Sequence, residues 1–414
     1  MRLRFVVIFL MLGCLLTISP ADLADTYRVT AQRLIDAALK DDDGYEKLSH
    51  LCYQIGNRLS GSKGLEEAVR WSAEQMKRDG LANVTLQPVK VPHWVRGEES
   101  AEVVEPVRRK LFMLGLGMSV GTPEGGITAE VVPVSSFDEL TKLGAERVKG
   151  RIVLFNVPYT GYGQTVMYRA TGASRAAAMG AVAVLVRSVT PLAMQQPHTG
   201  SLVYDPAKPR VPAAAISIED SMMLAKVAQN GPVKVRLQMG AQTLPDADSA
   251  NIFGEIPGRE KPEEVVVLGG HIDSWDVGQG AQDDGTGVIA SLQAVALIRK
   301  LGLQPRRTLR VVFWTNEENG TRGGRAYRAA LGEKVGTHVA AIEMDGGAER
   351  PLGFGFGGRA GSASEDEKKS FALLQDIGKL LSPIGAGEIS PGGGGADIGP
   401  LMRDGVPGLG VRTV

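Results

Sequence analysis

Six residues between positions 271 and 345 are of the types that bind a divalent cation or move a proton: His271, Asp273, Asp283, Glu317, Glu318 and Asp345. A histidine among several carboxylates suits zinc, or a pair of divalent ions bridged by one carboxylate. Carboxylates crowded into one crevice repel and raise one another's pKa, and a metal offsets that repulsion. The adjacent Glu317 and Glu318 carry the most meaning. Consecutive residues after a strand point in different directions, so one carboxylate can bind metal while the other acts as a base toward the attacking water. Singly, a histidine at a strand end is usually structural and a Glu-Glu pair usually a solvated surface. Their recurrence at successive strand ends is what points to a metal site.

The elements that must position them alternate: a strand over 265–268, a long turn, a helix over 288–300, a strand over 309–314, a helix near 323–331 and a strand over 338–344. Such repetition predicts an α/β fold with a mixed, largely parallel sheet flanked by helices. Each strand ends in ligand-type residues: Gly269-Gly270-His271-Ile272-Asp273, then Asn316-Glu317-Glu318-Asn319, then Glu343-Met344-Asp345. Catalytic groups on parallel sheets gather at the carboxyl ends of strands, and this pattern obeys that rule.

Upstream, three-to-four spacing of apolar residues predicts two helices between about 27 and 78, with a turn-rich loop over 56–62 between them. Alternation predicts strands over 84–104. Near residue 116 glycine and proline introduce a new rhythm, with short buried strands over 129–132, 151–155, 181–186 and 213–216 and a helix over 171–179. The reading is a strand-rich module over 116–242, inserted between an N-terminal part, 22–115, and a C-terminal part, 243–414. Arg2 and Arg4 precede an apolar run over 5–18, with Ser19 and Ala21 after it, which predicts an export signal over 1–21 and a secreted or periplasmic protein. The run is too short for a comfortable membrane span, so no stable membrane insertion is expected after its removal. An alternative takes Cys14, after Gly13, as a lipid anchor. Without the signal only Cys52 remains of the two cysteines, so no intramolecular disulfide is expected. The 46 basic residues balance the 46 acidic ones, which gives no basic stripe for nucleic acid and leaves a small substrate as the expected partner.

The runs over 270–287, 314–320 and 343–347 resemble the co-catalytic zinc aminopeptidase superfamily, and within it the plasma glutamate carboxypeptidase group, also called carboxypeptidase Q. Further stretches carry the likeness across nearly the whole chain after the signal: Leu59-Ser60-Gly61-Ser62-Lys63, Pro92-His93-Trp94, Ser136-Phe137-Asp138-Glu139-Leu140, Pro197-His198-Thr199-Gly200 and His271-Ile272-Asp273-Ser274-Trp275-Asp276. The resemblance implies two zinc ions. His271 would bind one, Asp283 would bridge both, Asp345 would complete the first and Glu318 would bind the second. It implies Glu317 as general base, Asp273 as the partner that fixes the tautomer of His271, and a cis peptide between Asp283 and Asp284. It also implies that the inserted module is a protease-associated domain, that the protein is a homodimer, and that it cleaves dipeptides or short peptides with a free N-terminus.

One departure is large. The family's second zinc takes a histidine from beyond the last strand, and no histidine follows His338 here. The chain therefore reads as truncated, with a second site reduced to Asp283 and Glu318. Two other functions stay open beside the peptidase: a catalytically impaired binding module, and a zinc amidohydrolase acting on a non-peptide amide. His198 and Asp397 are weaker candidates for substrate contact. The dinucleotide-like glycine spacing over 353–358 is set aside, because no clear helix follows it and no acidic partner sits where a ribose would need one.

Overall fold

Apolar runs that end in the candidate residues become neighbouring strands. In the computed structural model, which describes residues 20–357 and 364–414, four parallel strands form the centre of an eight-stranded mixed sheet. Their spatial order is Arg307–Trp314, Lys261–His271, His338–Glu343 and Gly408–Thr413. Register places His271 beside Trp314 and Gly269 beside Glu343, so the carboxyl ends lie together along one rim. Antiparallel strands flank this centre, with Gln242–Ile256 and Ala82–Val95 on one side and Pro351–Gly357 on the other. The dinucleotide-like run thus enters a strand. Residues 1–19, which hold most of the expected signal and Cys14, lie outside the described residues. Among those described, no helix is long and apolar enough to cross a membrane.

Both faces of the central strands are buried, as helices on either side require. Val311 and Phe313 face the helices Lys63–Arg78 and Thr286–Lys300, packing with Leu65, Met76, Leu292 and Val295. Their alternates, Val312 and Trp314, face Tyr327 and Leu401 on the opposite side. Ser62 caps the first of these helices by accepting the Leu65 N–H at 3.1 Å, which turns the glycine-rich loop before it into a helix start. His338 opens its strand at the far end from the rim, where its Nε2 meets the Tyr327 hydroxyl at 2.9 Å.

A second eight-stranded sheet draws all its strands from between Glu99 and Met239. The chain enters it at Glu99–Glu105, upstream of the change of rhythm near residue 116, because that strand pairs antiparallel with the exit strand Lys234–Met239. Entry and exit therefore lie side by side, and the glycine-rich stretch is an internal loop. This layer has its own core of Val153, Phe155, Ala173, Val184 and Ala213. It is fastened to the first by Arg96, whose guanidinium meets both carboxylate oxygens of Asp276 at 2.7 and 2.8 Å and also the Gly115 carbonyl. The Trp94 indole N–H donates to the Ser119 carbonyl at 2.8 Å. Gly117 has to be glycine here, since a Cβ would lie 1.9 Å from the Trp275 ring.

Arg58 is the least expected member of the core. It is fully buried and its guanidinium donates to four carbonyls: Ile272 at 2.7 Å, Gly56 and Gly280 at 2.8 Å, and Gln279 at 2.9 Å. It thus ties the end of the His271 strand to the turn that leads to Asp283. Arg58→Met takes the donor from four carbonyls, that of Ile272 buried and the others partly so, and we expect a loss of about 3–5 kcal/mol in unfolding free energy, read by denaturant titration.

Candidate metal centre

Three ligand atoms converge on the rim. His271 Nε2 lies 3.0 Å from an Asp283 carboxylate oxygen and 3.6 Å from an Asp345 oxygen. Ligand atoms of all three residues fall within 4.8 Å of one another, the one such cluster of three or more His, Cys, Asp or Glu among the described residues. His271 is buried at the end of its strand. Asp283 comes from the turn Ala281–Gly285, where the Asp283–Asp284 peptide is cis, and Asp345 from just past the strand His338–Glu343. The next strand ends at Trp314, and Asn316 then takes φ +67, a left-handed conformation that asparagine tolerates better than most residues. That bend turns Glu317 and Glu318 into the same cleft, whose volume is about 720 Å³.

The hydrogen bonds around the cluster orient it. The His271 ring donates from Nδ1 to the Asp273 backbone carbonyl at 2.9 Å, which leaves Nε2 to face the two carboxylates. The expected bond from the Asp273 carboxylate to the ring is not made, since it stands 3.7 Å away. That carboxylate instead accepts the backbone N–H groups of Glu317 at 3.0 Å and Glu318 at 3.3 Å. Asp273 therefore positions both the histidine and the Glu317-Glu318 loop, the first through its backbone and the second through its side chain. Asp284 was not singled out in the sequence. Its buried carboxylate accepts the His271 N–H at 3.0 Å and the Gly287 N–H at 3.1 Å, joining the strand end to the following helix.

These residues fit a divalent cation. Nε2 of His271 is buried without a hydrogen-bond partner, and what faces it is electron-rich oxygen. Burial first, and then the neighbouring carboxylates, push Glu317 up to about 7 and Glu318 up to about 9. Burial alone disfavours a charged His271, yet Asp283 and Asp345 outweigh it and hold the ring well above its usual range. Crowded anions around a bare imidazole nitrogen are the donor set that zinc binds.

The other sequence candidates separate. His198, from the second layer, lines the cleft. Asp397 does not: it is buried, both of its oxygens lack a partner, and burial and then Glu343 push its carboxyl well above the usual range. Arg169 and Tyr162 line the cleft without having been marked in the sequence. Their only signal there would have been an arginine inside an alanine-rich helix.

Residues 251–414 match the model of Peptidase family M28. The chain is 43% identical over 390 residues to carboxypeptidase Q of Mus musculus, covering 93% of this chain and 81% of the mouse protein. Among solved structures, the Peptidase M28 precursor from Shewanella amazonensis superposes with a TM-score of 0.88 at 30% identity, covering 94% of this chain and 88% of that one. A zinc aminopeptidase from Bacillus subtilis shares the fold, with a TM-score of 0.66 at 21% identity over 89% of this chain and 84% of that one. The extent of these likenesses, and the convergence of a histidine with two aspartates where the family match lies, make the chain a metallopeptidase that belongs to peptidase family M28.

Proposed function

We propose that the protein is an exported exopeptidase that hydrolyses dipeptides or short peptides with a free N-terminus, with zinc held by His271, Asp283 and Asp345. The observation that carries this reading is the bare Nε2 of His271 facing two carboxylates in a cleft of about 720 Å³, a volume suited to a small ligand. The acidic lining of Asp283, Glu317, Glu318 and Asp345 supports a substrate that brings an ammonium group. The positively charged and apolar leader supports export.

When bound, zinc supplies Lewis acidity, polarising the scissile carbonyl and making a water acidic enough to ionise near neutral pH. Glu317 takes the proton of the attacking water as the oxygen bonds to the carbonyl carbon, then passes it to the leaving nitrogen as the C–N bond breaks. A cation in the site draws the pKa of Glu317 back toward the carboxylate range, so the base is ionised when water arrives. Among the described residues, Asp283 and Glu318 offer two carboxylates to a second metal, against the three ligands of the first position. We expect that second metal to bind more weakly.

Asp273→Asn presents an amide N–H₂ to at least one backbone N–H it formerly accepted, which loosens the Glu317-Glu318 loop. The expected result is a 10- to 100-fold fall in kcat/KM with the fold retained, read by steady-state kinetics and a thermal melt. Substrate class is tested with a dipeptide library and its N-acetylated counterparts, assayed after chelation and after zinc is restored. The proposal predicts zinc-dependent cleavage of the free dipeptides. Cleavage of N-acyl amino acids alone would indicate an amidohydrolase, and no turnover by the zinc-loaded protein would indicate a binding module.

A further inference from the structure

His198 stands on the wall of the cleft that the inserted layer supplies, opposite the carboxylates. Its Nδ1 lies 3.3 Å from Nη1 of Arg169. A guanidinium has hydrogens to donate and nothing to accept with, so Nδ1 is the acceptor and carries no hydrogen. In the neutral ring the proton then sits on Nε2. Burial first, and then the Arg169 charge, keep the ring below its usual pKa, so it is neutral at neutral pH. The Nε2–H meets no acceptor among the described residues, and the side chain is exposed on its free side. His198 thus presents one fixed, uncharged donor to the cleft.

The ring is held from several directions. The His198 backbone N–H donates to Ser188 Oγ at 3.0 Å, and that hydroxyl donates to the Ile216 carbonyl at 2.8 Å. Arg169 is buried, and it is fixed in turn by donating to the Thr199 carbonyl at 2.9 Å and to the Tyr162 hydroxyl at 2.8 Å. Gly200 has φ +142 and a Cβ there would lie 2.2 Å from the Arg169 guanidinium carbon, so this glycine lets the arginine reach the histidine. The Ser201 hydroxyl donates to the Glu318 carbonyl at 2.8 Å, which ties the segment of His198 to the loop that carries Glu317. Asp283 and His198 each bear on the other's charge, as groups facing across one cleft do.

We propose that the Nε2–H of His198 donates a hydrogen bond to the oxygen of the scissile carbonyl, and that this bond strengthens as water attacks and the oxygen becomes an anion. A donor fixed in advance where negative charge develops lowers the barrier without having to reorganise. A neutral ring also suits the place, since an imidazolium would repel a cation in the metal centre. The inference rests on the peptidase reading above and adds to it a catalytic residue from the inserted layer. His198 keeps its proton throughout, and Glu317 alone carries the protons of water. Arg169 acts through His198, as the positioning residue that fixes its tautomer.

The test uses the zinc-loaded full chain and Ala-Leu, with release of alanine followed by chromatography. His198→Ala should lower kcat by about 100-fold, keep KM within about threefold and keep the zinc. His198→Gln, which retains an N–H donor, should recover about tenfold of that loss. A phosphinic analogue of Ala-Leu, with oxygens on a tetrahedral phosphorus in place of the attacked carbonyl, should bind His198→Ala about 100-fold more weakly by calorimetry. Free leucine should bind both proteins alike. Wild-type kcat in His198→Ala overturns the proposal and leaves the peptidase reading intact. A rise in KM alone also overturns it, because that marks a contact made equally with the ground state. So does an unchanged affinity for the analogue, or a loss of zinc. If the alanine variant fails to fold, the glutamine variant decides, and a fall in kcat without a matching fall in analogue affinity overturns the proposal. No cleavage by the wild type overturns the peptidase reading and this proposal with it.

Discussion

Replacement of Glu317 by glutamine is expected to lower kcat on a dipeptide by on the order of a thousandfold while the protein keeps its zinc. The two side chains have nearly the same shape, but the amide has no basic oxygen able to take a proton from water. The proposed ligand set of the first metal does not include Glu317. His271, Asp283 and Asp345 make the three-residue convergence without it, and its backbone N–H remains held by Asp273. The loss should appear in kcat with little change in KM, since the interaction removed acts in the transition state. A buried carboxylate in a crowded acidic cleft is also being neutralised, so the melting temperature of the chelated variant should equal or exceed that of the chelated wild type. The check is steady-state kinetics beside metal analysis and a thermal melt of the same preparation. A variant that loses its zinc would instead mark Glu317 as a ligand.

The second large effect concerns the protein without its metal. Chelation should destabilise it, and by more at higher pH. Burial, followed by the surrounding charges, pushes Glu317 up to about 7 and Glu318 up to about 9, from an ordinary value of 4.5. The folded state therefore holds protons that the unfolded chain has released, and the associated stability is complete below about pH 4.5 and lost as pH climbs through 7 toward 9. Bound zinc compensates the crowded charge, and its own affinity grows as ligands lose protons. The difference in unfolding free energy between loaded and chelated protein should thus widen by a few kcal/mol, on the order of 3, between pH 5 and pH 9. Paired melts at pH 5, 7 and 9 measure it. A gap that stays constant or narrows with pH would show that these carboxylates do not share a site with the metal.

The parts of this molecule that could be read in the sequence are those whose signals are local. The unbroken apolar run Val311-Val312-Phe313-Trp314 marks a strand covered on both faces, and the residues that follow each such strand lie at the sheet rim by geometry alone. His271, Glu317, Glu318 and Asp345 were found that way. What stayed hidden depends on chain segments far apart. Arg58 meets carbonyls more than two hundred residues away, and nothing near position 58 announces it. Asp273 lies two residues from His271, which suggested a bond between their side chains. Its carboxylate was drawn instead to backbone donors across the sheet at Glu317 and Glu318. The second sheet begins at Glu99 because the exit strand, Lys234–Met239, supplies its partner, a pairing that no local rhythm reports. Arg169 was passed over for the same reason: it precedes the helix expected over 171–179, although the helix formed is Tyr162–Ala177, and nothing local marks it until the cleft is assembled around it.

The most direct test of the central claim is a zinc titration of the chelated protein by calorimetry, with dipeptide hydrolysis assayed at each addition. The account predicts one tight equivalent that depends on His271, Asp283 and Asp345, activity that requires zinc, and a second equivalent bound more weakly through Asp283 and Glu318. His271→Ala should lose the tight equivalent and the activity together. Zinc held as tightly by His271→Ala as by the wild type, or hydrolysis that persists with no zinc bound, would contradict it.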